Sequence, residues 1–166
     1  MAKCLISGSD YDHFIDFGEM PIANAFGSKE DMIGEYTFPM KVGFCEESKM
    51  VQLVNQPSRE RMFHENYAFF SSTSDYMKKH FQKFASSVSE LQSLSRDSLV
   101  VEIGSNDGIM LQNFLESNIP CLGIEPSKNV AKVASDKGID VITEFFDMQL
   151  AESIFQTHGK ADAILS

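Results

Sequence analysis

The sequence contains no tryptophan and only three cysteines in 166 residues. An odd, small number of cysteines, in a chain that we expect to have no secretion signal, argues against a disulfide framework. No apolar run approaches the roughly 20 residues that a membrane-spanning helix requires. Basic residues are also scarce, with 14 Lys and Arg against 24 Asp and Glu, which gives a formal charge of −10. These absences predict a cytoplasmic protein that binds neither nucleic acid nor a membrane.

The remaining composition is ordinary for a globular protein, with 43% hydrophobic and 23% charged residues. The chain has no internal repeat and no low-complexity tract. Its residue pattern changes twice and therefore predicts three segments. These are a small β module over residues 1–55, a helical connecting or lid segment over 56–97, and an α/β segment over 98–166.

The first two segments carry strand signals and then helix signals. Glycine and proline punctuate the first segment, in which YTFPMKVGF and MVQLV have the β-branched and aromatic content of strands. In the second segment, SRERMFHENY is helical in pattern, and YMKKHFQKFASSVSEL repeats apolar residues at helical steps. Ser74 is the predicted N-cap of this second helix.

The third segment alternates short apolar strands with helices. This alternation predicts right-handed βαβ units with about four parallel strands, which is the first half of a Rossmann-like α/β domain. The predicted strands are Leu99–Ile103, Cys121–Glu125, Asp140–Thr143 and Ala161–Ser166. The predicted helices are Ile109–Ser117, Asn129–Lys137 and Gln149–Thr157.

The stretch LVVEIGSNDGIMLQNF joins the first of these strands to a helix through a tight turn. Gly104 and Gly108 bracket the turn, where glycine allows a ligand to approach the backbone closely. Glu125 ends the second strand, about 20 residues further on, where an acidic residue commonly binds ribose hydroxyls. The combination predicts a site for an adenosine-type cofactor, and the alternative is a tight strand-to-helix connection without a ligand.

The side chains of this turn favour S-adenosylmethionine over a dinucleotide. A dinucleotide site has the pattern G-x-G-x-x-G, but Asn106 and Ile109 stand at its second and third glycine positions. Glu102 and Asp107 add negative charge, which repels a diphosphate. S-Adenosylmethionine has no phosphate and carries a sulfonium and an ammonium group, which acidic and amide side chains suit. Binding of an NAD-type nucleotide stays as the less favoured alternative.

Several stretches together resemble the S-adenosylmethionine-dependent sugar C-methyltransferases, which methylate carbon 3 of nucleotide-linked 4-keto deoxysugars. The resemblance implies a small N-terminal zinc-binding module, a methyltransferase core and a further C-terminal domain. It also implies a small-molecule substrate, a nucleotide-linked sugar. The stretches that carry it are DFGEMPIANAF, CEESKMVQL, MFHENYAFFSSTSDYMKKHF, VVEIGSNDGIMLQNF and LGIEPSKNVAKVASDKGIDVITEFF.

The resemblance also implies roles for residues at matching positions. The cofactor-binding residues that it implies are Gly104, Asn106, Asp107, Gly108, Glu125, Phe145 and Phe146. The residues that it implies for the substrate or lid segment are Tyr67, Ser71, Ser72, Ser74 and His80. Core packing is the alternative for one of the two phenylalanines, and helix capping is the alternative for the serines. We expect His80 on the apolar face of its helix as a packed histidine, and we assign no catalytic residue.

The metal module departs from the family's two C-x-x-C pairs. Here Cys4 is followed by Ser7, and Cys45 is followed by Ser48. The resemblance leaves Cys4 and Cys45 as the candidate metal ligands. Because a serine hydroxyl stays protonated and is a poor zinc ligand beside a thiolate, we expect zinc to be lost or weakly held. The third cysteine, Cys121, lies in a predicted strand and is expected to be an inert core thiol.

Two hypotheses about the whole chain follow. In the family, the acceptor chemistry belongs to residues beyond the fourth strand of the sheet, and this sequence stops within that strand. The chain is then the N-terminal part of an enzyme, which we expect to bind the cofactor rather than catalyse alone. The alternative is a non-catalytic homologue that acts as a binding or partner subunit. An unpaired edge at the fourth strand would favour self-association.

Overall fold

The computed structural model describes residues 1–23, 26, 28–30 and 32–166. The chain forms two compact units, Met1–Met62 and Phe63–Ser166. Asn24 and Ala25, within the stretch DFGEMPIANAF, lie outside the described residues. The expected fold class is confirmed, because a small antiparallel β unit precedes a helix and a four-stranded parallel sheet.

The first unit contains two small antiparallel sheets. Strands β1 (Ala2–Lys3) and β2 (Asp10–Tyr11) pair with each other. Strands β3 (His13–Pro21), β4 (Thr37–Cys45) and β5 (Met50–Leu53) form a three-stranded sheet in that order. The predicted strands YTFPMKVGF and MVQLV are thereby confirmed as β4 and β5. One helical turn, α1 (Arg59–Met62), follows.

Two features of this region differ from the sequence-based expectations. Strand β3 has no counterpart among the predicted strands, because its pairing with β4 is interrupted by two register shifts and its Gly18 has a φ of 73°. Such bulges break the alternation of apolar and polar residues by which a strand is recognised. The helix predicted over SRERMFHENY ends at Met62, so that prediction was wrong for its second half.

The second unit begins with a long helix. Helix α2 (Asp75–Leu91) starts at the predicted N-cap, Ser74, whose Oγ accepts a hydrogen bond from the Met77 N–H at 3.3 Å. The helix buries Ala85 against the core, with Phe81 and Val88 packed beside it. The amphipathic spacing of this stretch therefore accounts for both its conformation and its orientation on the core.

The parallel sheet has the strands and helices that the sequence predicts, with bounds that differ by at most two residues. Its four strands, in the order β8-β7-β6-β9, are β6 (Val100–Ile103), β7 (Cys121–Ile124), β8 (Asp140–Ile142) and β9 (Ala163–Leu165). The helices between them are α3 (Leu111–Glu116), α4 (Lys128–Asp136) and α5 (Met148–His158).

The two faces of this sheet carry separate cores. Val100 packs on the face covered by α2, α3 and α4, and Val101 packs on the face covered by α5. Since β7 and β9 flank β6 on opposite sides, the carboxyl end of β6 lies at the point where strand order reverses, which is where open α/β sheets bind ligands. Within the described ranges, no helix has the length and apolar character that crossing a membrane requires.

Candidate functional site

The turn after β6 has a left-handed backbone at three positions. The φ angles are 75° at Gly104, 49° at Asn106 and 77° at Gly108. A Cβ at Gly108 would overlap the Ile139 side chain, so glycine there lets the turn pack closely on the core. A Cβ at Gly104 would meet nothing within 4 Å, so the backbone there borders open space. The turn therefore combines a packed side with a side that a ligand can approach.

Glu125, directly after β7, is buried and holds this turn in place. Its Oε2 accepts a hydrogen bond from the Asn106 N–H at 3.0 Å, and its Oε1 accepts one from the Ser127 N–H at 2.8 Å. Each carboxylate oxygen can accept a second hydrogen bond. Glu125 can therefore connect the turn after β6 to the loop after β7 and still accept hydrogen bonds from the hydroxyls of a bound ribose.

Asp107 is also buried, with a relative exposure of 1%. Its Oδ2 accepts hydrogen bonds from the N–H of Ser72, at 3.0 Å, and from the hydroxyl of the same residue. Lys137 Nζ donates to the Asp107 carbonyl oxygen at 2.6 Å, which anchors the backbone of the turn to the end of α4. The Asp107 carboxylate is thus held in a defined orientation.

The segment before α2 is fastened over the turn by side-chain hydrogen bonds. Asn106 Oδ1 accepts from the Ser71 N–H at 2.9 Å, and Asn106 Nδ2 donates to the Phe69 carbonyl at 3.0 Å. Asn129 Nδ2 donates to the Tyr67 carbonyl at 2.7 Å. The structure therefore brings Ser71 and Ser72 to the turn, and it brings Tyr67 to the start of α4.

The two other residues of the expected lid segment lie elsewhere. Ser74 uses its hydroxyl to cap α2. His80 is exposed on α2, with its ring 5.4 Å from that of Phe81. The expectation of a packed, buried His80 was therefore wrong, because the apolar face of α2 turns away from this position.

The two phenylalanines after β8 have different surroundings. The Phe145 ring lies 6.5 Å from the Phe63 ring in an edge orientation, and Phe63 in turn lies 5.6 Å from Tyr67. Phe146 is 39% exposed and lines a cavity of about 370 Å³ with side chains of α5. Phe145 therefore belongs to an aromatic group with Phe63 and Tyr67. Phe146 instead lies on the face of the sheet that α5 covers.

A third buried acidic residue, Glu102 of β6, completes the group at this edge. Burial, together with the nearby Glu125 and Asp107, raises the pKa of Glu102 to about 8. Burial and the charge of Glu125 also raise the pKa of Tyr67. None of the ion pairs found among the described residues includes these three carboxyl groups. This edge of the sheet therefore carries three buried carboxyl groups, and a cation beside them would stabilise their charged forms.

Several buried polar atoms at this edge have no hydrogen-bond partner in the described part of the chain. They are Glu102 Oε2, Ser105 Oγ, Asp107 Oδ1, Ser127 Oγ and Asn129 Oδ1. Buried polar atoms in native proteins are nearly always hydrogen-bonded, so this cluster requires partners from a bound molecule or from water. Ser105, Ser127 and Asn129 were missed in the sequence analysis, because short polar residues after strands are common in loops without ligands.

The two candidate metal ligands lie together in the first unit. Cys4 Sγ is 3.2 Å from Ser48 Oγ, and Cys45 Sγ is 3.2 Å from Ser9 Oγ. Hydrogen bonds with these serines lower the pKa of both thiols. No group of three or more His, Cys, Asp and Glu suited to a metal occurs among the described residues. Two thiols surrounded by hydroxyls do not fit a four-thiolate zinc site.

Cys121 differs from these two thiols. It is partly buried, and its Sγ lies 3.7 Å from the Leu111 carbonyl oxygen. Burial, together with the nearby Asp140 and Glu102, raises its pKa to about 11. The thiol is therefore protonated at neutral pH, as an inert core thiol should be.

Comparison with known proteins found similarities that cover both units of the chain. Residues 4–63 match a family described as "Putative zinc binding domain". Over 161 residues, which are 96% of this chain, the sequence is 30% identical to the C-methyltransferase NovU of Streptomyces niveus. The chain spans 38% of the length of that relative. These matches confirm the resemblance to C-methyltransferases that the sequence motifs indicated.

Proposed function

We propose that this chain binds S-adenosylmethionine and forms the cofactor-binding part of a C-methyltransferase that acts on a nucleotide-linked keto-deoxysugar. The methyltransferase assignment is supported by the similarity to NovU over 96% of the chain. The sugar acceptor and the cytoplasmic location come from the sequence analysis alone and stay predictions. Neither a partner subunit without activity nor an NAD-type binder gains support from the matches.

The observation that carries the proposal is the cluster of buried acidic side chains at the switch point of the sheet. The three side chains are at most 6% exposed, and they are Glu102, Asp107 and Glu125. They lie in or beside the turn, where several buried polar atoms have no hydrogen-bond partner among the described residues. A diphosphate would add negative charge next to Asp107 and Glu125, at a cost that grows as water is excluded. A ligand with a sulfonium and an ammonium group instead compensates the negative charge of these side chains.

The residues of the site then have separate tasks. We assign Glu125 to the ribose hydroxyls of the cofactor, and we assign Asp107 and Asn106 to its charged amino-acid part. The segment Phe69–Ser72, which these two residues hold over the turn, would help to exclude water from the bound cofactor. When bound, the cofactor supplies an electrophilic methyl group for transfer to carbon.

The proposal is tested by titration calorimetry of S-adenosylmethionine with the full chain. Asp107→Asn keeps an oxygen for Ser72 but removes the charge, and Glu125→Gln keeps one carbonyl acceptor. We expect each variant to bind at least about tenfold more weakly than the wild type, which corresponds to about 1.4 kcal/mol. A parallel fluorescence titration with NADH should give no binding signal.

Matched controls are Asp136→Asn and Glu116→Gln, which make the same changes at exposed positions on α4 and α3. Both should bind like the wild type, and circular dichroism should show all five proteins to be folded. Equal affinity of all variants, or tighter binding of NADH than of S-adenosylmethionine, would refute the proposal.

A further inference from the structure

The C-x-x-S pairs of the first unit contact each other crosswise. Cys4 Sγ lies 3.2 Å from Ser48 Oγ, and Cys45 Sγ lies 3.6 Å from Ser7 Oγ. Each thiol therefore contacts the serine of the other pair, across 44 and 38 residues of chain. The folded chain brings all four positions of the two pairs into one cluster.

The spacing within this cluster resembles that of a metal site, but its donors do not. Four sulfurs at about 2.3 Å from a zinc ion lie about 3.8 Å from one another along the edges of the tetrahedron. The crosswise distances of 3.2 and 3.6 Å are close to this spacing. Two of the four donors, however, are neutral hydroxyls, which are poor zinc ligands beside thiolates.

The cluster has internal partners that can replace a metal. Ser9 Oγ adds a second hydroxyl contact to Cys45 at 3.2 Å. Cys4 and Cys45 are buried, with exposures of 4% and 1%, and they pack with Tyr11 in a small apolar core. A Cβ at Gly43 of β4 would overlap the Tyr11 ring, so glycine at this position allows Tyr11 to pack closely against β4. Hydrogen bonds and packing therefore hold together the strand ends that a zinc ion would otherwise join.

We propose that the first unit keeps the fold of a zinc-binding domain without zinc, and that Ser7 and Ser48 are hydrogen-bonded substitutes for two metal ligands. The scaffold still holds the four positions at the right separation. Replacing both serines with cysteine therefore completes a four-thiolate site. This inference concerns the first unit alone and does not depend on the proposed function.

The test compares the full wild-type chain with the double variant Ser7→Cys/Ser48→Cys. The control, Ser86→Cys/Ser153→Cys, adds the same number of thiols at exposed positions on α2 and α5. All three are produced with added zinc and purified under reducing conditions. Zinc per chain is measured by mass spectrometry, and thermal unfolding is followed with and without EDTA.

We expect about one zinc per chain in the double variant only, with a Tm that falls when EDTA is added. The wild type and the control should carry almost no zinc and should unfold at the same temperature with and without EDTA. A stoichiometric zinc ion in the wild type, or a Tm that falls with EDTA, would overturn the metal-free fold. A folded double variant without zinc would overturn the claim about the four positions.

The proposal stays testable if the double variant precipitates. The single variant Ser48→Cys supplies three thiols and is titrated with Co²⁺, whose thiolate complexes absorb strongly in the near ultraviolet. Appearance of this absorption in Ser48→Cys but not in the wild type supports the proposal. Absence of the absorption in Ser48→Cys, or its presence in the wild type, contradicts it.

Discussion

At the scale of single residues, the environment of Glu102 is unfavourable for a charged side chain. It is 6% exposed, its Oε2 has no partner in the described part of the chain, and two other carboxyl groups lie nearby. A residue of this kind lowers the stability of the free protein whenever it is charged. Such a cost is expected at a binding site, where a ligand of opposite charge removes it.

The pKa of Glu102 predicts a specific dependence of stability on pH. Because its pKa rises from 4.5 to about 8 on folding, the folded state binds more protons than the unfolded state between these values. The free energy of unfolding therefore falls as the pH rises from 4.5 to 8. We expect Glu102→Gln and the wild type to have similar free energies of unfolding near pH 4.5. At pH 8.5, the free energy of unfolding of Glu102→Gln should be higher than that of the wild type by roughly 2–4 kcal/mol.

Urea denaturation of both proteins across this pH range measures the effect. The exposed substitution Glu116→Gln serves as the control and should leave the difference from the wild type constant with pH. Parallel stability curves for Glu102→Gln and the wild type would show that the buried carboxyl group does not titrate as described.

At the scale of elements, the turn after β6 and the segment before α2 form one hydrogen-bonded structure. The links are made by the side chains of Asn106 and Asp107 with the backbone of Phe69–Ser72. A loop fastened by a few hydrogen bonds opens locally without unfolding of the sheet. Local opening of this segment would therefore expose the turn while the sheet stays folded.

Asn106→Gly should release this segment while leaving the turn intact. Asn106 has a φ of 49°, which glycine adopts without strain, so the change removes mainly the side-chain hydrogen bonds. We expect amide exchange at Ser71 to become about fivefold faster or more, because one hydrogen bond contributes about 1 kcal/mol. Exchange in β6 and β7 should change little.

Asn118→Gly is the matched control, because Asn118 also has a positive φ, of 56°, but lies on the exposed turn after α3. Its exchange pattern at Ser71 should equal that of the wild type. Unchanged protection of Ser71 in Asn106→Gly would mean that the segment is held by other contacts.

At the scale of the whole molecule, cofactor binding should stabilise the folded chain. A ligand that binds only the folded state adds about 2.7 kcal/mol at 100 times its Kd. For a chain of this length, we expect S-adenosylmethionine to raise the Tm by about 5–10 °C. Differential scanning fluorimetry measures the shift, and Asp107→Asn should show a smaller one at the same concentration. An equal shift in both proteins would argue against binding at this turn.

The sequence alone was sufficient for the α/β unit, because its signals are local. Each strand and helix of the sheet carries its own apolar periodicity, and glycine marks the turn at the end of β6. The alternation of these elements permits few other topologies. For the same reason, the position of Glu125 beside the turn could be predicted from its place at the end of the second strand.

Other features depend on contacts between distant residues, and only the tertiary structure determined them. Register shifts conceal β3 in the sequence, and the crosswise contacts between Cys4 and Ser48 and between Cys45 and Ser7 join residues about 40 positions apart. The exposure of His80 and the burial of Glu102 likewise depend on what packs against each element. Local patterns specify which elements form, whereas burial and charge at a site arise only when those elements meet.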